Sequence, residues 1–468
     1  MTTASPEVSE IDASARFPLS LLIAFALCWL VISGALALVN FAQTLSPTLL
    51  ADCPVLTYGR LRGIQETIFI YGWVANVGLA ASLWILGRLS GSPLRSLNWV
   101  IVGTVFWNLA ITLGVVGIAL GEGTSFALLR MPRHVQPLML VAFGAIAVPG
   151  ILAWTGRSRR GTFAAQWYAV AALFLFPWLF SAAQVMLEWV PVRGVLQAVA
   201  AGWFVQSAWT LWMAPLALSA AYYLVPKISG RVIPSYDFAS LSFWTLLVVG
   251  GWTGARHLIG GPVPAWIPTM AIVSCALLTF HYLVTALNLR AAFGQRSLSL
   301  KFVAVGVGAY VVGGFVDAVT AVRGVAETTQ FTWVTLAQSQ LALSGAFSMI
   351  LFGTIYFMAP RFLNKSWPST PLIRAHYAAA LIGTALLVIG LAVAGIVQGR
   401  DLANAAISFI DIASHTRPWL LVASAGQALL LFGNIVLSFH FGRLLLVKPA
   451  VSAAELFRQP STMEASVS

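Results

Sequence analysis

Apolar stretches of roughly 18 residues or more recur along the whole chain, the length at which a helix can cross the hydrocarbon core of a bilayer. The composition agrees with this pattern, because 59% of the residues are hydrophobic and only 9% are charged. A soluble domain does not bury that much apolar surface. The sequence therefore predicts an all-α polytopic membrane protein.

Twelve apolar stretches fit spanning helices, and short connections between them leave no room for a soluble domain. We expect a hydrophilic cytoplasmic N-terminal segment over residues 1–16, a twelve-helix membrane domain over 17–447 and a polar C-terminal tail over 448–468. The N-terminal segment lacks the layout of a signal peptide, so the first span should be retained. The predicted spans are 17–40, 64–87, 98–121, 136–156, 164–187, 196–225, 236–258, 266–289, 300–322, 330–359, 375–398 and 418–446.

The formal net charge of +12 would suggest a nucleic-acid partner only if the basic residues clustered, and they do not. They lie in short groups between apolar stretches and are most numerous at the two termini and in the even-numbered connections. The positive-inside rule then predicts that both termini are cytoplasmic. Cys28, Cys53 and Cys275 are scattered and form no CxxC motif, which argues against a c-type haem or a zinc finger.

Two predicted spans end alike. The sixth ends in AAYYLVPK (220–227) and the tenth in GTIYFMAPR (353–361). Tyrosine suits the headgroup level, proline ends a helix, and lysine or arginine faces the cytoplasm. Taken alone, these endings predict interfacial anchoring.

Polar residues inside the spans carry the functional information. Such groups either mark a functional site or hold neighbouring helices together through hydrogen bonds. Arg256 needs an anion at that depth, and Asp317 is the expected partner. His281 and His440 stand singly on separate helices, which favours helix packing over metal binding. The complete set is Gln65, Glu66, Gln206, Arg256, His257, His281, Asp317, Gln338, Gln340 and His440.

Four stretches, taken in order, resemble subunit I of the cbb3-type, or C-family, haem–copper cytochrome c oxidases. They are YGRLRGIQ (58–65), the stretch from Gln206 to YYLVPK, FWTLLVVGGWTGARHLIGGPVPAW (243–266), and QSQ (338–340) followed by IYFMAPR. The resemblance implies a twelve-helix bundle in a bacterial inner (plasma) membrane. It further implies two b-type haems, one copper and other membrane subunits as partners, among them a membrane-anchored cytochrome c subunit.

The same resemblance implies that most metal ligands are replaced. Gln65 and Gln340 stand at the axial positions of the low-spin haem, and Gln338 stands at that of the high-spin haem. Gln206 and Arg256 take copper-ligand positions, and His257 alone remains. Haem iron and copper both favour imidazole, and an amide is a weak substitute. Arg60 and Arg62 match arginines that would meet haem propionates.

We therefore expect no haem or copper, and a single polar interior pocket in which the glutamines bond one another or water. Three functions stay open at this point, together with a fourth possibility, that a haem is retained with one axial ligand or none and is held by packing and propionate contacts. The first is a non-catalytic subunit that assembles with membrane partners. The second is a working terminal oxidase or nitric oxide reductase with unusual ligands. The third is a transporter or channel that reuses the bundle.

Overall fold

The computed structural model describes residues 6–158 and 161–447, with side chains from residue 9 onward. Within these ranges twelve helices are long and apolar enough to cross a membrane. They are α1 (Pro6–Leu45), α2 (Tyr58–Ser90), α3 (Leu97–Leu120), α4 (Gln136–Thr155), α5 (Ala164–Trp189), α6 (Val195–Ser229), α7 (Tyr236–Leu258), α8 (Trp266–Ala292), α9 (Leu298–Thr320), α10 (Trp333–Leu363), α11 (Thr370–Leu402) and α12 (Phe409–Leu446). The predicted all-α bundle of twelve spanning helices is confirmed.

Helices α2, α6 and α10 form the centre of the bundle. Their most apolar stretches are 89–94% buried, whereas those of the other nine spanning helices are 33–50% buried. Trp73 of α2 donates a hydrogen bond to Ser348 of α10 across 2.9 Å. Half of the ten candidate polar residues lie on these three helices, so these five belong to the most buried part of the bundle.

The repeated aromatic endings of α6 and α10 are not headgroup anchors, contrary to the sequence-based expectation. Tyr222, Tyr223, Tyr356 and Phe357 are all buried. The ring of Trp84 in α2 lies 5.3 Å from that of Tyr223 and 6.1 Å from that of Phe357. These endings therefore hold the three central helices together.

The first helix begins well before the predicted span. It starts at Pro6, so much of the segment expected over residues 1–16 is helical. Asp12 is buried and accepts hydrogen bonds from Arg88 (2.8 Å) and Trp84 (3.0 Å) of α2. A paired carboxylate can extend a helix beyond its apolar stretch, which hydropathy alone does not anticipate. The expected tail over 448–468 lies outside the described residues.

Helices α11 and α12 approach closely because both carry glycine at the contact. A Cβ on Gly426 would meet the backbone nitrogen of Leu387 at 2.5 Å, and a Cβ on Gly383 would meet the carbonyl of Gly426 at 2.9 Å. Small residues let spanning helices pack at short distance. This pair packs against α1 and α10 and closes one side of an interior cavity.

Candidate functional site

The helices that carry the candidate residues lose regular α-helical geometry beside them. Turns of π-helix run over Ile68–Ala75 in α2, Ala208–Met213 in α6 and Leu341–Ser348 in α10. Each begins one to three residues after a candidate glutamine. In α7, the segment Gly250–Leu258 is a 3₁₀-helix and contains Arg256 and His257. Such irregular turns often lie at functional sites, because they redirect side chains.

A first cavity, of about 130 Å³, lies between α1, α2, α10, α11 and α12 and contains Gln65 and Gln340. Gln65 donates to the hydroxyl of Ser33 across 3.2 Å. Gln340 accepts a hydrogen bond from Ser344 across 2.9 Å. Each of these two amides is thus bonded to a neighbouring hydroxyl, and neither bonds the other.

Two charged residues of α2 line this first cavity. Glu66 lines it and forms an ion pair with Arg130, whose Nε lies 2.7 Å from the carboxylate. Arg62 also lines the cavity and donates to the hydroxyl of Tyr58. Arg60 points elsewhere, because it donates to the carbonyl of Ala119 at the end of α3. Of the two arginines expected near haem propionates, the structure brings only Arg62 to the cavity.

A second cavity, of about 270 Å³, contains Gln206, Arg256, His257, Asp317 and Gln338. Arg256 is only 8% exposed, and its Nη2 lies 3.1 Å from the carboxylate of Asp317. The structure therefore pairs this arginine with the anion that the sequence predicts. The Nε–H of Arg256 donates to Nε2 of His257 across 3.1 Å. This bond occupies the lone pair through which that imidazole nitrogen would bind a metal.

The two glutamines of the second cavity have different surroundings. Gln338 donates to Thr320 (2.7 Å) and to Asp317 (3.3 Å), so it extends the ion pair into a network. The side chain of Gln206 makes no hydrogen bond with any residue in the described part of the chain. It faces free space in the cavity, where water can serve as its partner.

The single pocket expected from the sequence is divided in two. Trp209 and Ser339 line both cavities and form the wall between them. The ring of Trp209 lies 6.1 Å from that of Phe347 on α10, which holds it in place. Gln65 and Gln340 share one cavity, and Gln206, Arg256, His257 and Gln338 share the other. This division follows the two groups of positions that the family resemblance implies.

The isolated histidines are occupied by helix packing. His281 is fully buried and lies 2.9 Å from both the Ser242 and the Tyr310 hydroxyls. His440 accepts from the backbone N–H of Ser369 across 3.2 Å. Neither lines either cavity. Both therefore fit the helix-packing interpretation that the sequence favours.

Three cavity residues were missed in the sequence. Asn40 of α1 and Gln427 and Asn434 of α12 line the first cavity and are only 6–8% exposed. A signal was present, since Ser33, Asn40 and Thr44 recur at helical spacing on one face of an otherwise apolar helix. Gln427 and Asn434 likewise lie two turns apart on one face of α12.

The donors at these positions do not suit the cofactors that the resemblance implies. Glutamine is not among the usual axial ligands of haem iron, and copper favours several imidazoles. In the second cavity a guanidinium holds the single imidazole and would repel a copper cation. Among residues 6–158 and 161–447, no group of three or more His, Cys, Asp or Glu side chains is arranged to hold a metal. The side chains at these positions therefore do not match the ligands that haem iron and copper favour.

Comparison with known proteins places the chain in a family. Residues 18–429 match the family of cytochrome c and quinol oxidase polypeptide I. The chain is 24% identical over 447 residues to the cbb3-type cytochrome c oxidase subunit CcoN1 of Stutzerimonas stutzeri, covering 90% of this chain and 93% of that one. It is also 24% identical over 426 residues to cytochrome c oxidase subunit 1 of Rhodobacter capsulatus, covering 84% and 78%.

Solved structures support the same fold. A cryo-EM structure of a haem–copper terminal oxidase dimer aligns with a TM-score of 0.64 at 13% sequence identity, covering 96% of this chain and 86% of that one. The family match covers most of the chain, and it includes the second cavity and all the residues that line the first except Leu430 and Asn434. This chain is therefore a divergent, multi-span membrane member of the cytochrome c and quinol oxidase polypeptide I family.

Proposed function

We propose that this chain is a non-catalytic homologue of oxidase subunit I, which acts as a scaffold or partner subunit in a respiratory-type membrane complex. The observation that carries the proposal is the bond from Arg256 to Nε2 of His257. Ligation of copper through Nε2 would require this bond to break. It would also leave a buried guanidinium next to the metal, and both changes are costly.

The amides support the same proposal. Gln65 and Gln340 are bonded to serine hydroxyls, and Gln338 is bonded to Asp317 and Thr320. These contacts satisfy polar groups that would otherwise be unpaired in the membrane interior. Side chains of this protein therefore take over the stabilising contacts at positions where the family would bind two b-type haems and a copper.

Scaffold features support a role in assembly. The central helices α2, α6 and α10 remain tightly packed through Trp84, Tyr223 and Phe357. The relatives are named as subunits of cytochrome c oxidases. We propose other membrane subunits as partners, including a membrane-anchored cytochrome c subunit. The bacterial relatives support an inner-membrane location, and the distribution of Lys and Arg supports cytoplasmic positions for both termini.

Affinity purification and respiration assays test both parts of the proposal. The tagged chain, purified with mild detergent and cross-linked, should copurify with specific membrane subunits that an unrelated tagged twelve-helix protein does not capture. The chain purified apart from those subunits and placed in nanodiscs should reduce neither oxygen nor nitric oxide when artificial electron donors are supplied. The Rhodobacter capsulatus enzyme, handled in parallel, provides the positive control. Turnover by the isolated chain, or recovery without specific partners, would contradict the proposal.

A further inference from the structure

We propose that the first cavity is a water-filled chamber, open on one face of the membrane domain, that admits small hydrophilic molecules and favours anions over cations. This inference rests on the proposed function in one respect, namely that no haem fills the cavity. It goes beyond that function because it says what fills the cavity and from which side molecules can enter it. The unbonded amides on α1 and α12 are the starting point.

Three buried amides in this cavity have no hydrogen-bonding partner among the residues that the structure describes. The side chains of Asn40, Gln427 and Asn434 line the cavity and form no hydrogen bond with any residue in the described ranges. Of their polar atoms, Oδ1 of Asn40 is fully buried. All three are more than nine-tenths buried. A buried amide without a hydrogen bond costs several kcal/mol in an apolar surrounding, roughly 2–7 by transfer measurements. Three such groups around one space therefore indicate that the space holds hydrogen-bonding molecules.

We infer an opening at one end, where the cavity lies next to a pocket on the surface. Thr44, Tyr58 and Trp333 line it and also line a surface pocket formed with Pro47, Leu49 and Ala51 of the connection between α1 and α2. Leu49 and Tyr58 are exposed. The route thus begins on the face of the bundle that carries residues 46–57.

From that face the chamber reaches deep into the membrane domain. Residues lining it on α1 extend from Thr44 to Leu30, which at 1.5 Å per residue is a depth of about 21 Å. Ser33, Gln65, Gln340 and Ser344 lie along this depth. Their hydroxyls and amides provide donors and acceptors for a chain of water molecules.

The chemistry of the wall selects the kind of occupant. Amides and hydroxyls donate and accept equally, so they suit water and small neutral polar molecules. Glu66, which lies further from the mouth along α2 than Arg62, is neutralised by Arg130. Arg62 therefore remains as an additional cation. We therefore expect anionic probes to enter faster than cationic ones. An acyl chain fits poorly, because the unbonded amides would remain unbonded beside it.

Cysteine accessibility tests the chamber directly. Ser344 lies deep in the cavity, whereas Ser219 of α6 is fully buried outside it and provides a matched control. Ser344→Cys and Ser219→Cys are made in a C28A/C53A background, with the background itself as the baseline for Cys275. The purified proteins in nanodiscs are treated with the membrane-impermeant reagents sulfonatoethyl and trimethylammonioethyl methanethiosulfonate. Mass spectrometry then measures the modified fraction over time.

We expect Ser344→Cys to be modified at least 10-fold faster than Ser219→Cys, and faster by the sulfonate than by the ammonium reagent. Adding Ala37→Phe, which places a ring in the cavity between the mouth and Ser33, should slow the modification several-fold. An absorption spectrum of each sample separates the two proposals. Equal, slow modification of both cysteines in a haem-free sample overturns the chamber alone, and so does an unchanged rate with Ala37→Phe. A haem spectrum overturns the proposed function and the chamber together.

Discussion

The two cavities differ in how their buried polar side chains obtain hydrogen-bond partners. In the second cavity, Arg256, Asp317, His257 and Gln338 bond one another, so most of its polarity is satisfied by the protein. In the first, two amides are bonded to serines, while Asn40, Gln427 and Asn434 have no bonding partner in the described part of the chain. The second cavity is stabilised by an internal ion-pair network. In the first cavity, the unpaired amides depend on water or other small molecules for their hydrogen bonds.

The difference shows how a protein interior can adjust when the ligands of a cofactor are replaced. A charge placed in the interior must bring its counter-charge, because an isolated buried guanidinium is very costly. A neutral amide needs no counter-charge, since a water molecule can supply its hydrogen bonds. Single substitutions in the network of the second cavity should therefore lower the stability of the protein, whereas substitutions in the first cavity should change it little.

The largest effect is expected from Asp317→Asn, which removes the anion of the second cavity. Arg256 would then keep its charge at 8% exposure without a counter-charge. Breaking a buried pair by removing one partner costs roughly 3 kcal/mol or more. Thermal unfolding of the purified protein should show a marked decrease in the apparent midpoint.

The double variant R256Q/D317N is the control for this prediction. It removes both charges, so it should lose much less stability than Asp317→Asn alone. An equal loss in the single and double variants would show that the ion pair does not hold the second cavity.

An intermediate effect is expected from Gln338→Leu in the same cavity. This change removes hydrogen bonds to Asp317 and Thr320, and a bond to a charged group contributes about 2 kcal/mol. Gln206→Leu is the matched control, because Gln206 lines the same cavity without bonding the described residues. Its midpoint should stay close to that of the wild type. If Gln206→Leu lowers the unfolding midpoint as much as Gln338→Leu does, the hydrogen bonds of Gln338 are not the cause of the loss.

The smallest effect is expected from Asn434→Leu in the first cavity. Water satisfies this amide, so its replacement by an apolar side chain of similar size should change stability by less than about 1 kcal/mol. Asn108 offers a contrast, since it is buried and bonded to Trp29, Asn76 and the carbonyl of Thr104. Unfolding midpoints of Asn108→Leu and Asn434→Leu should differ clearly, with Asn108→Leu the lower. The reverse order would mean that Asn434 has a structural partner.

Much of this architecture can be predicted from the sequence. Spans are set by hydropathy, because a bilayer admits only long apolar helices in a chain of this kind. The pairing of Arg256 with Asp317 is expected from the cost of an isolated charge in hydrocarbon. Charge and length are properties of the chain itself, so no knowledge of packing is needed to predict them.

The division into two cavities could not be predicted in the same way. It depends on where the Trp209 ring lies between α6 and α10, which is decided by packing against Phe347. The orientation of Arg60 toward the end of α3 is likewise a matter of tertiary contact. Asn40, Gln427 and Asn434 were visible as polar residues in apolar helices, but the rotation of α1 and α12 about their axes determines that they face one space.

The haem and copper content of the purified chain tests the central claim most directly. The protein, produced with ample haem precursor and copper and isolated with its membrane partners, is separated into subunits, and haem and copper are measured per chain. The account predicts far less than one haem and one copper per copy of this chain, even when a partner subunit carries haem. A stoichiometric b-type haem that stays with this chain would contradict it.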